Sequence, residues 1–239
     1  LRADGVVGNG SQTGYILALR FGLLPSAARR DALARLVTDI RRRGALLSTG
    51  FLGTPYSLDV LADGGESELV YDLLLRTSFP SWGYMIAKNA TTIWERWNGD
   101  VGDKAMNSYN HYALGAVGGF MFRRLAGIAP EEPGFRTFRF DPVYDKRVRS
   151  GGARYESRMG LISTRWSWGD DGGYRLDLLV PPTARCTLVL PCSDQRSIEF
   201  VTRGSRMDTV GVRESQRCTL RAHSGRHRIL VRNPIMTRQ

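Results

Sequence analysis

The spacing of apolar side chains changes once along this chain, from every third or fourth residue to every second, and one regular element cannot satisfy both periods. Helical spacing dominates from Gln12 to about residue 125. It is clearest over 26–43, where Leu33, Leu36, Val37 and Ile40 stand at i, i+3, i+4 and i+7. Ser26 is the expected N-cap of this helix and Gly44 its stop. Weaker versions over 12–21, 54–62, 65–76 and 110–126 bring the expectation to five helices in succession. The period changes at Pro130-Glu131-Glu132-Pro133-Gly134. Beyond it Ile162, Thr164, Trp166 and Trp168 alternate with other residues, Asp170-Asp171-Gly172-Gly173 makes a turn, and Tyr174, Leu176, Leu178 and Val180 alternate again. That pattern is a hairpin. Further strands are expected around 138–140, 187–190, 198–201, 218–222 and 229–231, with Ser224-Gly225 as another turn. The reading is a helical domain over 1–130 and an antiparallel β-sandwich over 131–239.

The chain has 239 residues, 42% of them hydrophobic, which is enough apolar material for packed cores. Its formal charge is +11, and 31 of the 34 basic residues are arginine. They are scattered, with no run longer than Arg41-Arg42-Arg43, and much of the excess follows residue 135. Nucleic-acid binders concentrate charge on one face or arm, so a solvated arginine-rich surface is the expectation and a nucleic-acid partner is not. The longest apolar stretch, Ala113 to Phe122, falls short of the roughly 20 residues that span a bilayer. A soluble protein, cytoplasmic or secreted, is expected. The chain opens on Leu1 and runs at once into Gly5-Val6-Val7-Gly8-Asn9-Gly10, the composition of a loop inside something longer, so a fragment or processed product is expected.

Several motifs lead nowhere. Gly8-Asn9-Gly10-Ser11-Gln12-Thr13-Gly14 resembles a dinucleotide fingerprint, but its last glycine is one residue late and no strand precedes it; it reads as a turn before a helix. Cys186, Cys192 and Cys218 lack the close spacing of a zinc site. Cys186 and Cys192 are near enough in sequence to bridge, and an odd count leaves at least one free thiol. His223 and His227 are expected at the surface of a hairpin.

The chemistry concentrates in Ala90-Thr91-Thr92-Ile93-Trp94-Glu95-Arg96-Trp97, one carboxylate among two indoles and an arginine, followed by Asn107-Ser108-Tyr109-Asn110-His111-Tyr112. An indole offers a flat face to a sugar, and a carboxylate can activate a water. In an extended segment Glu95 and Trp97 would share one face, with Trp94 and Arg96 on the other. Arg96 and Lys88, if near, would favour the ionised glutamate. A glutamate beside tryptophans equally suits a surface ion pair, and a histidine at a helix start equally suits a local hydrogen bond.

These strings, with Gln12-Thr13-Gly14-Tyr15, Gly22-Leu23-Leu24-Pro25, Thr49-Gly50-Phe51-Leu52-Gly53-Thr54 and Pro80-Ser81-Trp82-Gly83-Tyr84-Met85 in the same order, resemble the C-terminal half of bacterial α-L-rhamnosidases of glycoside hydrolase family 78. The likeness continues more weakly through Tyr155-Glu156-Ser157 and Gly160-Leu161-Ile162-Ser163 to Leu190-Pro191 and fades after about residue 200. It implies part of an (α/α)6 barrel followed by a β-sandwich, and inverting release of terminal L-rhamnose from glycosides or oligosaccharides. It implies Glu95 as general base, His111 as a contact to the rhamnose hydroxyls, Trp97 as a lining residue, no cofactor and no metal at the catalytic centre. The family's general acid belongs to the first half of the barrel, and residues 1–11 supply none. The 239 residues alone are therefore expected to be inactive, with the missing N-terminal half as a partner. The alternative is a non-catalytic carbohydrate-binding barrel remnant, and a third reading is a helical domain carrying an arginine-rich module for polyanions.

Overall fold

The computed structural model describes residues 1–101, 107–192, 194–202, 206–213 and 217–234. Contacts divide the chain into two units, Leu1–Gly119 and a second beginning at Phe120.

The first unit is helical. Helix α1 (Gln12–Arg20) begins where the Gly8–Gly10 turn hands over to Ser11, whose side chain accepts the Gly14 N–H at 3.2 Å. Helix α2 (Ser26–Arg42) buries Leu36, Val37 and Ile40 of the stripe that its spacing predicts, together with Ala32, while Leu33 is half-buried. Its N-cap is Pro25 rather than Ser26, which is the first helical residue. The fixed φ of proline starts the helix without any side-chain cap. Gly44, at φ +79°, ends it. Helices α3 (Thr54–Asp63) and α4 (Ser67–Leu75) follow, then α5 (Trp82–Ala87), a short helix that no periodicity announced. The expected single helix over 110–126 is instead α6 (Tyr112–Gly115), α7 (Val117–Phe120) and a π-type turn over Met121–Leu125. Gly115, Gly118 and Gly119 each cost a helix interior about 1 kcal/mol relative to alanine, which suits such a break.

One buried amide ties the first helices together. Gln12 donates from Nε2 to Asp39 Oδ2 (3.0 Å) and to the Leu46 carbonyl (3.1 Å), and its Oε1 accepts the Ser48 N–H (2.8 Å).

Among the described residues the second unit holds ten strands in two five-stranded sheets. In chain order they are β1 (Ala129–Pro130), β2 (Thr137–Phe140), β3 (Ser150–Ser157), β4 (Gly160–Trp168), β5 (Tyr174–Val180), β6 (Arg185–Pro191), β7 (Ile198–Phe200), β8 (Met207–Arg213), β9 (Arg217–Ala222) and β10 (Gly225–Val231). The sheets run β1-β2-β6-β9-β8 and β3-β4-β5-β10-β7. All pairings are antiparallel except β2 with β6, which corrects the wholly antiparallel expectation. The chain leaves β2, builds the β3-β4-β5 meander of the other sheet and returns to β6, a connection long enough for a parallel crossover. Phe138, Phe140, Trp166, Tyr174, Leu188, Leu220 and Ile229 fill the core. Alternation also carries His227 inward: it is buried beside Ile229 and Val231, not at the surface, and its Nε2–H donates to the His223 carbonyl at 2.7 Å. His223 binds Asp208 (2.7 Å). Cys192 pairs with Cys218, Cα atoms 5.6 Å apart, and Cys186 is buried and unpaired. The register explains this, since Leu190 lies opposite Cys218 while Cys186 lies opposite Ala222.

Among the described residues no helix is long and apolar enough to cross a membrane, and no group of three His, Cys, Asp or Glu side chains is placed to hold a metal ion.

Asp39 makes the helical unit sensitive to acid. Partial burial pushes its carboxyl up, but hydrogen bonds from Arg43, Gln12 and Arg42 outweigh this and hold it at about 2. A carboxyl held below its unfolded value of about 3.9 stabilises the fold above that pH, and the contribution is lost as pH falls through about 2. Asp39→Asn should lower stability at pH 7 by about 1 kcal/mol, screening included, and match the wild type near pH 2. Denaturant unfolding between pH 7 and 2 checks this; a gap that does not narrow contradicts it.

Candidate functional site

Glu95 and His111 are brought together by two irregular segments that run antiparallel. The Glu95 N–H donates to the Ser108 carbonyl (2.8 Å) and the His111 N–H to the Ile93 carbonyl (2.9 Å). Thr92 adds a side-chain bond to the Tyr109 carbonyl. The Glu95 side chain joins the same ladder, with Oε2 accepting the Ser108 N–H at 2.8 Å. Backbone and carboxylate of one residue therefore both hold Ser108. This fixes the direction of the carboxyl group and leaves further acceptor positions on it for a water or hydroxyl.

His111 caps α6: its Nδ1 accepts the Ala113 N–H at 3.1 Å. A nitrogen that accepts an amide hydrogen carries a lone pair, so in the neutral ring the proton sits on Nε2. The capping role and a binding role are thus compatible, because the cap uses one nitrogen and presents the other as a donor. Tyr112 stacks on the imidazole, centroids 4.8 Å apart and planes 21° from parallel. Ile93, Asn110, His111, Tyr112, Gly115 and Ala116 line an open depression of about 670 Å³, within the range of about 300–1,000 Å³ that small molecules occupy.

The ladder is held from behind by two indoles. Trp97 donates from Nε1 to the Thr49 carbonyl (3.1 Å), and Trp82 donates to the Leu114 carbonyl (2.9 Å). The two rings meet edge to face at 5.1 Å. Loop 49–54, helix α5, the 94–97 segment and helix α6 therefore converge on one aromatic contact. Thr49 is itself fixed by its hydroxyl, 2.7 Å from that of Thr54. Trp94 is buried with Met85 and Leu114, and Gly99 passes so close that a Cβ there would stand 2.9 Å from the indole. At Gly83 a Cβ would stand 2.3 Å from the Arg76 carbonyl oxygen, so only glycine lets α5 approach that backbone.

Two expectations are corrected. Residues 95–100 bend and turn rather than extend, so Glu95 and Trp97 do not share a face by alternation: Glu95 binds Ser108 while Trp97 reaches Thr49. Lys88 pairs with Asp100 (3.6 Å), which also accepts the Tyr84 hydroxyl (2.7 Å). The sequence reading missed Ser108, Thr49 and Trp82 as the groups that set the geometry. The available signal was that a buried indole N–H requires an acceptor.

Trp82→Phe keeps a ring but leaves the buried Leu114 carbonyl without its donor. The expected cost is about 1–3 kcal/mol in denaturant unfolding; an unchanged midpoint would show that the indole bond does not hold α6.

With this geometry in view, the comparisons with known proteins are specific. Residues 1–125 match the model of the bacterial α-L-rhamnosidase six-hairpin glycosidase domain, and residues 127–205 that of the bacterial α-L-rhamnosidase C-terminal domain. An α-L-rhamnosidase of Streptomyces avermitilis is 40% identical over 235 residues, covering 96% of this chain and 22% of that protein. One from Formosa agariphila is 36% identical over 194 residues, 79% of this chain and 21% of that protein. The crystal structure of the Streptomyces avermitilis enzyme complexed with L-rhamnose superposes with a TM-score of 0.89 at 37% identity, covering 96% of this chain and 22% of that one. The native enzyme from Aspergillus terreus gives 0.84 at 30% identity, over 98% and 25%. The chain thus spans about a fifth of the length of the relatives it matches. Its helical unit and its two-sheet unit carry the two domain signatures in order, and the chain belongs to the bacterial α-L-rhamnosidase family.

Proposed function

We propose that this chain is the C-terminal part of an inverting α-L-rhamnosidase, with residues 1–130 forming part of an (α/α)6 barrel and residues 131–239 a β-sandwich. Glu95 is the general base, His111 binds the rhamnose, and Trp97 backs the sugar pocket. The observation that carries this reading is the ladder joining Glu95 to Ser108 and His111 to Ile93, which orients the carboxylate through Ser108 and holds His111, with Nε2 left over from its cap, among the residues that line an open depression.

In inversion, a water attacks the anomeric carbon on the face opposite the leaving group. The base takes its proton while a carboxylic acid protonates the glycosidic oxygen, the two carboxyl groups standing about 6.5–9.5 Å apart. Glu95 supplies the first role: its orientation is fixed by Ser108 and it retains room to accept a water proton. His111 donates from Nε2 to a hydroxyl of the sugar. Trp97, whose own N–H is bound to Thr49, contributes by shape and by anchoring the 94–97 segment. The general acid comes from sequence beyond these 239 residues, so this chain alone does not turn over substrate. L-Rhamnose, the ligand of the Streptomyces avermitilis structure, is the proposed sugar here.

Glu95→Gln in the full-length protein should lower kcat on p-nitrophenyl α-L-rhamnoside by about 10²–10⁴-fold, the usual contribution of a general base. The first product seen by proton NMR in the wild type should be β-L-rhamnose. Wild-type turnover by the variant, or an α product, would overturn the assignment. His111→Asn retains a good helix cap and removes the Nε2 donor. It should raise KM by about tenfold, the equivalent of one hydrogen bond, with little change in unfolding temperature; an unchanged KM would remove His111 from the sugar site.

A further inference from the structure

The charge of this chain is divided unevenly. Residues 1–119 carry 12 Lys and Arg against 11 Asp and Glu, while residues 120–239 carry 22 against 12. Nearly all of the +11 therefore belongs to the β unit, and the proposed chemistry at Glu95 makes no use of it.

Part of that charge is ordered by sheet register. In the sheet β3-β4-β5-β10-β7, Trp166, Leu176, His227 and Ile229 point into the core, so the alternate residues point out. Arg154, Arg165, Arg175, Arg226 and Arg228 are all exposed on that outer face. The register places Arg154 opposite Ser163, Ser163 opposite Leu179 and Leu179 opposite Arg226. One cross-strand row thus has a guanidinium at each end and a small, half-buried floor between them, spanning three strand spacings, or about 14 Å. Arg165 rises from the neighbouring row, opposite Gly152. Of the acidic residues of the face, Asp177 lies opposite both Arg165 and Arg228 and binds Arg228 (2.6 Å), and Glu199 binds Arg232 (2.7 Å). Glu156 is also on this face, at the far end of β3. Arg154, Arg165 and Arg226 form no ion pair among the described residues.

We propose that this outer face binds a carboxylate-bearing polysaccharide, with Arg154, Arg165 and Arg226 as the contacting cations. Guanidinium groups present paired donors that match a carboxylate in two-point geometry, and fixed strands hold them at set intervals along an extended chain. The choice of a glycan among polyanions rests on the rhamnosidase reading above; the array itself does not.

The test uses the full-length protein with three polymers: polygalacturonate, the same polymer with its carboxyl groups reduced, and double-stranded DNA. Affinity electrophoresis and calorimetry should show binding to polygalacturonate that weakens at least tenfold between 50 and 300 mM salt, and none to the reduced polymer. The triple substitution Arg154→Gln, Arg165→Gln, Arg226→Gln should lower that affinity at least tenfold at an unchanged unfolding temperature. Wild-type affinity in the triple variant, equal binding of the reduced polymer, or tighter binding of DNA than of polygalacturonate at the same salt would each overturn the proposal. Hydrolysis of p-nitrophenyl α-L-rhamnoside by the full-length protein carrying the triple substitution separates the two readings, since that neutral substrate requires the Glu95 site and not the arginine face.

Discussion

The edge-to-face contact of Trp82 with Trp97 is the constraint on which the candidate site depends. Each indole N–H is bound to a backbone carbonyl on a different element, Thr49 for one and Leu114 for the other. The pair therefore fixes rings and main chain together. Two irregular segments, 92–97 and 107–111, would otherwise have little to hold them, since neither is part of a helix or sheet. Anchored at Trp97 on one side and at α6 on the other, they meet through four backbone and side-chain bonds, and Glu95 and His111 take their places from that meeting.

The two fold types were legible because each rests on a period. The stripe Leu36, Val37 and Ile40 is buried as its spacing requires, and Trp166, Tyr174, Leu176 and Leu178 are buried as alternation requires. Where the structure departs, the local pattern was weak or the cause was distant. Strand β3 carries Gly151 and Gly152 and no clear alternation; Gly152 sits where a Cβ would stand 2.3 Å from the Thr164 carbonyl, a close approach seen only once β4 is in place. The parallel pairing of β2 with β6 is a property of the crossover between them, which no local window contains. The Cys192–Cys218 pairing likewise follows from cross-strand register rather than from sequence spacing.

Of the site, the residue types were legible and their support was not. Glu95, His111 and Trp97 stand out as a carboxylate, an imidazole and an indole in one stretch of an apolar chain. That Glu95 is oriented by the Ser108 amide, and that the Trp97 N–H is engaged with Thr49, depend on a turn at 95–100 that reverses the expected alternation. That His111 can cap a helix and still offer a donor follows from atoms rather than residue type: the cap takes Nδ1 and leaves Nε2. The motifs that carry the family likeness, Thr49–Thr54, Pro80–Met85, 90–97 and 108–112, are separated in sequence but meet around the two indoles. Their common ground is structural as much as chemical.

The most direct test of the site is a crystal structure of the full-length protein soaked with L-rhamnose. If the ladder of 92–95 and 108–111 builds the sugar site, the pyranose lies within about 3 Å of His111 Nε2, with a water between Glu95 and the anomeric carbon. Rhamnose bound elsewhere, with neither side chain within hydrogen-bond reach, would contradict it.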